Sequence, residues 1–169
     1  MDRAEKKIVD SFHNLYYHGT KDSGQSLFFE TYWAGVPCLK CPLDLWIYQE
    51  LIFELRPGLI IETGTHSGGS ALFMAHLCDL LGSGRVVTID VVEDAKRPVH
   101  DRISYLLGSS SDPDVIAKAR ACGRPDDDVL VILDSDHSEQ QVLNELELLA
   151  PLVKVGGYLI VEDTNVNGH

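Results

Sequence analysis

The residues best suited to chemistry are acids that close hydrophobic runs. VILD ends at Asp134, and IVED ends at Glu162-Asp163. Short branched-apolar runs read as buried strands, and the acids then lie at strand ends on one rim. Three carboxylates gathered there repel one another unless a cation lies between them. Oxygen-only donors suit a hard divalent ion such as Mg2+. Asp134, Glu162 and Asp163 are therefore the candidate metal ligands, the alternative being a solvated acidic rim. His137 follows Asp134 by three residues. An imidazole is the usual proton acceptor near neutral pH, which makes His137 the candidate base. Asp136 either supports that loop or caps it.

A second constellation is the turn Glu62-Thr63-Gly64-Thr65-His66-Ser67-Gly68-Gly69-Ser70, directly after LIIE. Glycine lets the backbone approach a ligand, and a following helix offers free N–H groups. The spacing E-x-G-x-x-x-G departs from the dinucleotide pattern G-x-G-x-x-G. Glu62 would repel a pyrophosphate but not a sulfonium or ammonium group. Asp90 ends a second strand 26 residues beyond Gly64, where a carboxylate can accept both hydroxyls of a ribose. Together these features suit a positively charged nucleoside, S-adenosylmethionine, with His66 lining the turn. The alternative is a strand-to-helix turn with a structural role only.

These residues need elements to hold them. Residues 59–62, 85–90, 103–108, 129–134 and 157–163 read as strands, and residues 67–82, 112–122 and 139–153 as helices. Alternating strands and helices predict an α/β, Rossmann-like doubly wound sheet, mostly parallel, of about five strands. Upstream, residues 2–17 show helical spacing, residues 18–31 read as a loop, and a helix opens at Pro42 and stops at Arg56-Pro57-Gly58. The expected organisation is one structural domain, with a helical or lid segment over 1–57 and the ligand-binding core over 58–169. The aromatics of residues 18–36 (Phe28, Phe29, Tyr32, Trp33) either cover the cofactor or pack the N-terminal helix.

Composition narrows the function. With 14 Lys and Arg against 26 Asp and Glu, the net charge is −12, which argues against nucleic acid or an anionic membrane surface. Ten acids and one base lie between Asp126 and His169. Asp127, Asp128, Glu145 and Glu147 among them read as solvated surface. No apolar run approaches a membrane span, and the charged N-terminus is not a secretory signal. Four cysteines are too few for a disulfide scaffold, and Cys38-x-x-Cys41 lacks two further zinc ligands. A cytoplasmic protein is expected.

The stretch TYWAGVPCLKCPLDLWIYQELIFELRPGLIIETGTHSGGSALFMA, with VVTIDV, ILDSDH and PLVKVGGYLIVEDTNVNGH, resembles the cephalosporin hydroxylase family over about residues 10–169. Despite its name, that family looks like Rossmann-fold, Mg2+-dependent O-methyltransferases, including rhamnosyl and macrolide-sugar methyltransferases. The resemblance implies that Glu62, Gly64, Thr65 and Ser70 belong to the S-adenosylmethionine turn, with Asp134 at its edge. It implies Asp90 at the ribose, Ser109 and Ser110 near the adenine with Asp112 beside them, and Asp134, Glu162 and Asp163 on the metal. His137 matches the general-base position. Lys40, Pro42 and Asp44 match a K-x-P-x-D segment, which makes Cys38 and Cys41 passengers.

The implied reaction is methyl transfer to a hydroxyl of a small natural product or sugar. One departure stands out. Family members continue after the fifth strand with a helix and an antiparallel strand pair, which this sequence lacks. Strand five would then be an exposed edge, so either the chain is a fragment or a second subunit, in a homo-oligomer, covers it. Two other readings stay open. A non-catalytic S-adenosylmethionine-binding partner would need no turnover. A metal-dependent hydroxylase would use two His and one carboxylate, a balance this sequence does not offer.

Overall fold

The computed structural model describes residues 2–19, 24 and 26–164. Five parallel strands form its sheet: β3 (Leu59–Thr63), β4 (Val86–Asp90), β5 (Ile103–Leu107), β6 (Val129–Leu133) and β7 (Leu159–Val161). Their order is β5-β4-β3-β6-β7. The chain starts in the middle, winds to one edge, then crosses back and winds to the other. This is the doubly wound, Rossmann-like topology expected from the alternating pattern.

Strand residues alternate between two covered faces. Ile60, Leu130 and Ile132 pack under α2 (Pro42–Leu55) and α3 (Gly69–Leu81), with Leu45, Tyr48, Ile52, Phe73 and Met74. Leu59, Ile61, Val131 and Leu133 pack on the opposite side with Val115, Ile116 and Ala119 of α4 (Pro113–Ala121) and Leu149 of α5 (Glu139–Leu149). Cover on both faces explains why β6 is apolar throughout and β3 is apolar over its first three residues.

Pro42 opens α2, and Arg56 ends it in the left-handed conformation with φ 46°, just before Pro57. Gly68 (φ 80°) and Gly82 (φ 71°) bracket α3. β7 is an edge strand, and its three residues are half-buried.

The N-terminal segment differs in detail from the sequence reading. The first helix is α1 (Arg3–His13), opened by an Asp2 capping box and continued by one wide turn over Asn14–His18. Its apolar residues Ile8, Val9, Phe12 and Leu15 are exposed, and His13 and Tyr16 turn inward. The region read as a loop over 18–31 lies partly outside the described residues, and Leu27–Glu30 within it forms a short 3-10 turn. A two-residue antiparallel pair, β1 (Tyr32–Trp33) with β2 (Val36–Pro37), follows. Two residues per strand leave no hydrophobic alternation to read. Among the described residues no helix is long and apolar enough to cross a membrane.

Candidate functional site

The connections after β3 and β6 leave towards opposite faces of the sheet, so a crevice opens where these strands end. In doubly wound sheets ligands bind at this reversal point. Here it is a cleft of about 730 Å3, within the size range of small-molecule sites. Gly64 forms its floor with φ 82°. A Cβ at Gly64 would stand 1.9 Å from the Asp134 carbonyl oxygen. Only glycine lets the two strand ends meet this closely.

Asp90 ties the turn down. Its Oδ2 accepts from the backbone N–H of Thr65 (3.1 Å) and His66 (2.9 Å), and from Arg97 Nη2 (3.0 Å). Its Oδ1 accepts from Val92 N–H (2.9 Å). Arg97 also donates through Nε to the His66 carbonyl (2.9 Å) and lies over the Tyr105 ring. His66 is thereby held at φ 47°, a left-handed conformation uncommon for a residue with a side chain. Asp90 lines the cleft, and its Oδ1, with a single partner among the described residues, keeps capacity for a ligand hydroxyl.

Ser109 and Ser110 line the same cleft. Gln141 of α5 donates to Ser110 Oγ (3.0 Å) and accepts from Ser111. Asp112, by contrast, caps α4 by accepting from Asp114 N–H. Glu62, Thr65 and Ser70 lie beneath the turn, fully or almost fully buried. Thr88 Oγ1 donates to Glu62 Oε2 (2.7 Å) and pairs with Thr65 Oγ1 (2.7 Å). Glu62 Oε1 has no well-aligned donor among the described residues. Burial pushes the Glu62 carboxyl up to about 7, against the pull of Lys40 and of the Ser70 and Thr88 hydroxyls. These three residues shape the turn from below.

The carboxylate rim divides into two groups. Asp134, His137 and Asp163 each offer one ligand atom, and these atoms lie within 4.8 Å of one another. His137 Nε2 is 3.1 Å from Asp163 Oδ2. All three line the cleft, and Asp163 sits at φ 55°. The two carboxylates at this spacing fit a hard divalent cation, with the His137 imidazole beside them. Glu162 makes different contacts: its Oε1 lies 3.2 Å from Lys40 Nζ and accepts from the Tyr48 hydroxyl. Lys40 Nζ donates to Asp134 Oδ2 at 2.6 Å. Burial pushes Asp134 up to about 6, with Lys40 opposing. Burial works against the Lys40 ammonium, but Asp134, Glu162 and Glu62 outweigh it and raise its pKa above the ordinary lysine value. Burial, then Glu162, raises the Tyr48 phenol.

From the sequence, Lys40 is named only as part of the K-x-P-x-D segment, with no role at the rim, and Tyr48 is not singled out as a site residue. The signal for them is strand parity. Glu62, Asp134 and Glu162 each stand two residues beyond Ile60, Ile132 and Ile160, which face α2 and α3. Acids on that parity need a cation from the α2 side, and Lys40 stands just before α2. Glu145 also departs from expectation. It is fully buried, not solvated, and its Oε1 accepts from Ser135 Oγ (2.6 Å), fixing the loop between Asp134 and Asp136. Of the other acids read as surface, Glu147 is exposed, while Asp127 and Asp128 are half-buried, Asp127 accepting from Arg124 N–H and Asp128 pairing with Lys154. Of the N-terminal aromatics, Phe28 lines the cleft. Trp33 packs edge-on against Phe73 of α3 and donates to His76 Nδ1. Cys38 is buried in the core, its thiol pushed up to about 12 by burial, and all four cysteines are unpaired.

Comparison with known proteins places this geometry. The family model for rhamnosyl O-methyltransferase/CmcI matches residues 25–169. The rhamnosyl O-methyltransferase of Mycobacterium leprae (strain TN) is 37% identical over 171 residues, covering 99% of this chain and 72% of that protein. An apo structure of CmcI superposes with a TM-score of 0.65 at 29% identity, covering 85% of this chain and 61% of the other. A second CmcI structure, described with Mg and SAM, gives a TM-score of 0.65 at 26% identity, covering 87% and 63%. The chain thus spans less than two thirds of the length of these two solved chains. The match across nearly all of its residues nevertheless establishes that the chain belongs to the rhamnosyl O-methyltransferase/CmcI family.

Proposed function

We propose that this chain is an S-adenosylmethionine-dependent, divalent-metal-dependent O-methyltransferase acting on a hydroxyl of a small molecule, a sugar by analogy with its relatives. The observation that carries the reading is one cleft holding both constellations: the Gly64 turn with Asp90, and the Asp134–His137–Asp163 group. Its two halves come from the strand ends that Gly64 brings into contact.

The residues divide the work. Gly64 and His66 bring the backbone to the cofactor. Asp90 Oδ1 would accept from the ribose hydroxyls, while Arg97 fixes the same carboxylate from behind. Ser109 and Ser110, the latter held by Gln141, would border the adenine. Asp134 and Asp163 would hold the cation. Glu162 is the third carboxylate of the rim, engaged here by Lys40 and Tyr48. When bound, the sulfonium cofactor supplies the methyl group and the cation supplies Lewis acidity that lowers the pKa of the acceptor hydroxyl.

His137, oriented by Asp163 and at the cleft surface, accepts the hydroxyl proton. Phe28 borders the cleft from the N-terminal segment, which we read as its lid. Alignment of the two reactants is the protein's main contribution and can be worth several kcal/mol of barrier. The hydroxylase reading needs two imidazoles beside one carboxylate, and this group has the reverse balance.

The test is a methyl-transfer assay on rhamnosyl and other vicinal-diol acceptors with Mg2+. Stoichiometric S-adenosylhomocysteine and methyl ether, abolished by EDTA, are expected. Cofactor binding without turnover on any acceptor would favour a non-catalytic partner role instead.

A further inference from the structure

Three strand-end acids share one face of the sheet. The register pairs Glu62 with Ile132, and Ile132 with Ile160. The ladder continues one step beyond each strand, through Asp134 N–H to Thr63 O (3.1 Å) and Glu162 N–H to Leu133 O (2.9 Å). Glu62, Asp134 and Glu162 therefore keep the parity that faces α2 and α3. Carboxylates crowded this way and removed from water need a positive partner. Lys40 is that partner. Its side chain is 3% exposed and reaches Asp134 Oδ2 at 2.6 Å and Glu162 Oε1 at 3.2 Å. The Tyr48 hydroxyl donates to the same Glu162 oxygen. The Lys40 loop is itself anchored, because its carbonyl accepts from the Tyr16 hydroxyl (3.2 Å).

We infer that Lys40 is a resident counter-ion of the carboxylate rim, holding Glu162 away from the Asp134–His137–Asp163 group and competing with a divalent cation for Asp134. The inference rests on the metal-dependent reading above. An ammonium on a flexible four-carbon stem suits this task, being a point charge that can withdraw, where a guanidinium would lock both carboxylates in a planar fork. Two properties follow. The rim remains folded without a metal ion, and the affinity for the ion is set by competition with Lys40 and not by the carboxylates alone. A lysine that merely pairs core acids would affect stability and leave metal affinity unmoved.

The test is an Mn2+ titration of the whole chain by electron paramagnetic resonance, with thermal melts in EDTA and in saturating Mn2+. For Lys40→Met, Mn2+ binding about tenfold tighter is expected, since a like charge next to the ion is removed. The Mn2+-induced rise in melting temperature should exceed that of the unsubstituted chain. A Lys40→Met protein that folds only with Mn2+ also supports the inference. Equal or weaker Mn2+ binding by folded Lys40→Met overturns it, whatever happens to stability.

If Lys40→Met folds under neither condition, Tyr48→Phe decides. It keeps the ammonium but loosens Glu162, and about two- to fivefold tighter Mn2+ binding is expected. Unchanged binding overturns the inference. Tight Mn2+ binding by the unsubstituted chain with no response in these variants removes Lys40 alone. Absence of Mn2+ binding in every form removes the metal-dependent reading itself.

Discussion

Replacing Asp90 with asparagine isolates the part of the site that orders the cofactor turn. The carboxylate accepts four hydrogen bonds: from Thr65 N–H, His66 N–H, Val92 N–H and Arg97 Nη2. An amide has one oxygen and one NH2 group. Whichever way it faces, the NH2 group meets a backbone donor, and Arg97 loses its counter-charge. The pair is well buried, with side-chain exposures of 14% and 8% for Asp90 and Arg97, so solvent screens it weakly. Hydrogen bonds to charged groups are worth about 1.5–3 kcal/mol each. Allowing for non-additivity, the substitution costs about 2–4 kcal/mol. In a chain of this size 1 kcal/mol shifts the melting temperature by about 2–4 °C, which predicts a drop of about 4–16 °C. Thermal unfolding by circular dichroism measures this, and calorimetric titration with S-adenosylhomocysteine measures the site. Affinity is expected to fall by about tenfold or more, because the ribose acceptor and the turn are lost together. A melting temperature within about 1 °C of the unsubstituted chain would refute the claim that Asp90 holds the turn. Undiminished affinity would refute its role at the ligand.

Three further outcomes test other parts of the site. His137→Ala should lower turnover by about 10²- to 10⁴-fold and leave Mn2+ affinity within about threefold; a parallel loss of metal affinity would make His137 a ligand and not a base. Gly64→Ala should cost about 3 kcal/mol or more, or give no soluble protein, since its Cβ would meet the Asp134 carbonyl and its φ is left-handed; near-normal stability in urea would show that β3 and β6 separate easily. The raised Glu62 carboxyl means the folded state binds more protons than the unfolded one between its ordinary value of 4.5 and about 7. Stability must therefore fall as pH rises through that window, by up to about 3 kcal/mol. Glu62→Gln should lessen this fall, leaving the part due to the raised Asp134 carboxyl, and an equal loss of stability between pH 5 and pH 8 in urea melts of both proteins would contradict it.

Hydrophobic alternation and turn residues made the sheet legible. VLVILD and LIIE contain too many branched apolar residues for anything but strands covered on both faces, and Asp134 and Gly64 stand at their ends, with Asp90 closing VVTID, for reasons that local chemistry states. The reversal point between β3 and β6 follows from that topology, so the position of the cleft was legible too. What reading by motif could not supply was partnership across elements. Lys40 and Glu162 are 122 residues apart, and nothing local marks a lysine as buried. Glu145 lies in a stretch of α5 rich in polar residues, and only the approach of Ser135 shows it to be internal. In both cases the deciding fact is which face a side chain occupies. The parity of Ile60, Ile132 and Ile160 carries that information, but only once the strands are set in register. The N-terminal aromatics were ambiguous because two-residue strands and single helical turns have too short a period to read.

The proposed function requires that cofactor and cation share one cleft at the meeting of β3 and β6. A crystal of this chain grown with S-adenosylhomocysteine and Mn2+, measured at the manganese absorption edge, tests it most directly. An anomalous peak between Asp134 and Asp163 is expected, with the ribose against Asp90. A manganese peak away from Asp134, or a nucleoside bound outside the cleft, would contradict it.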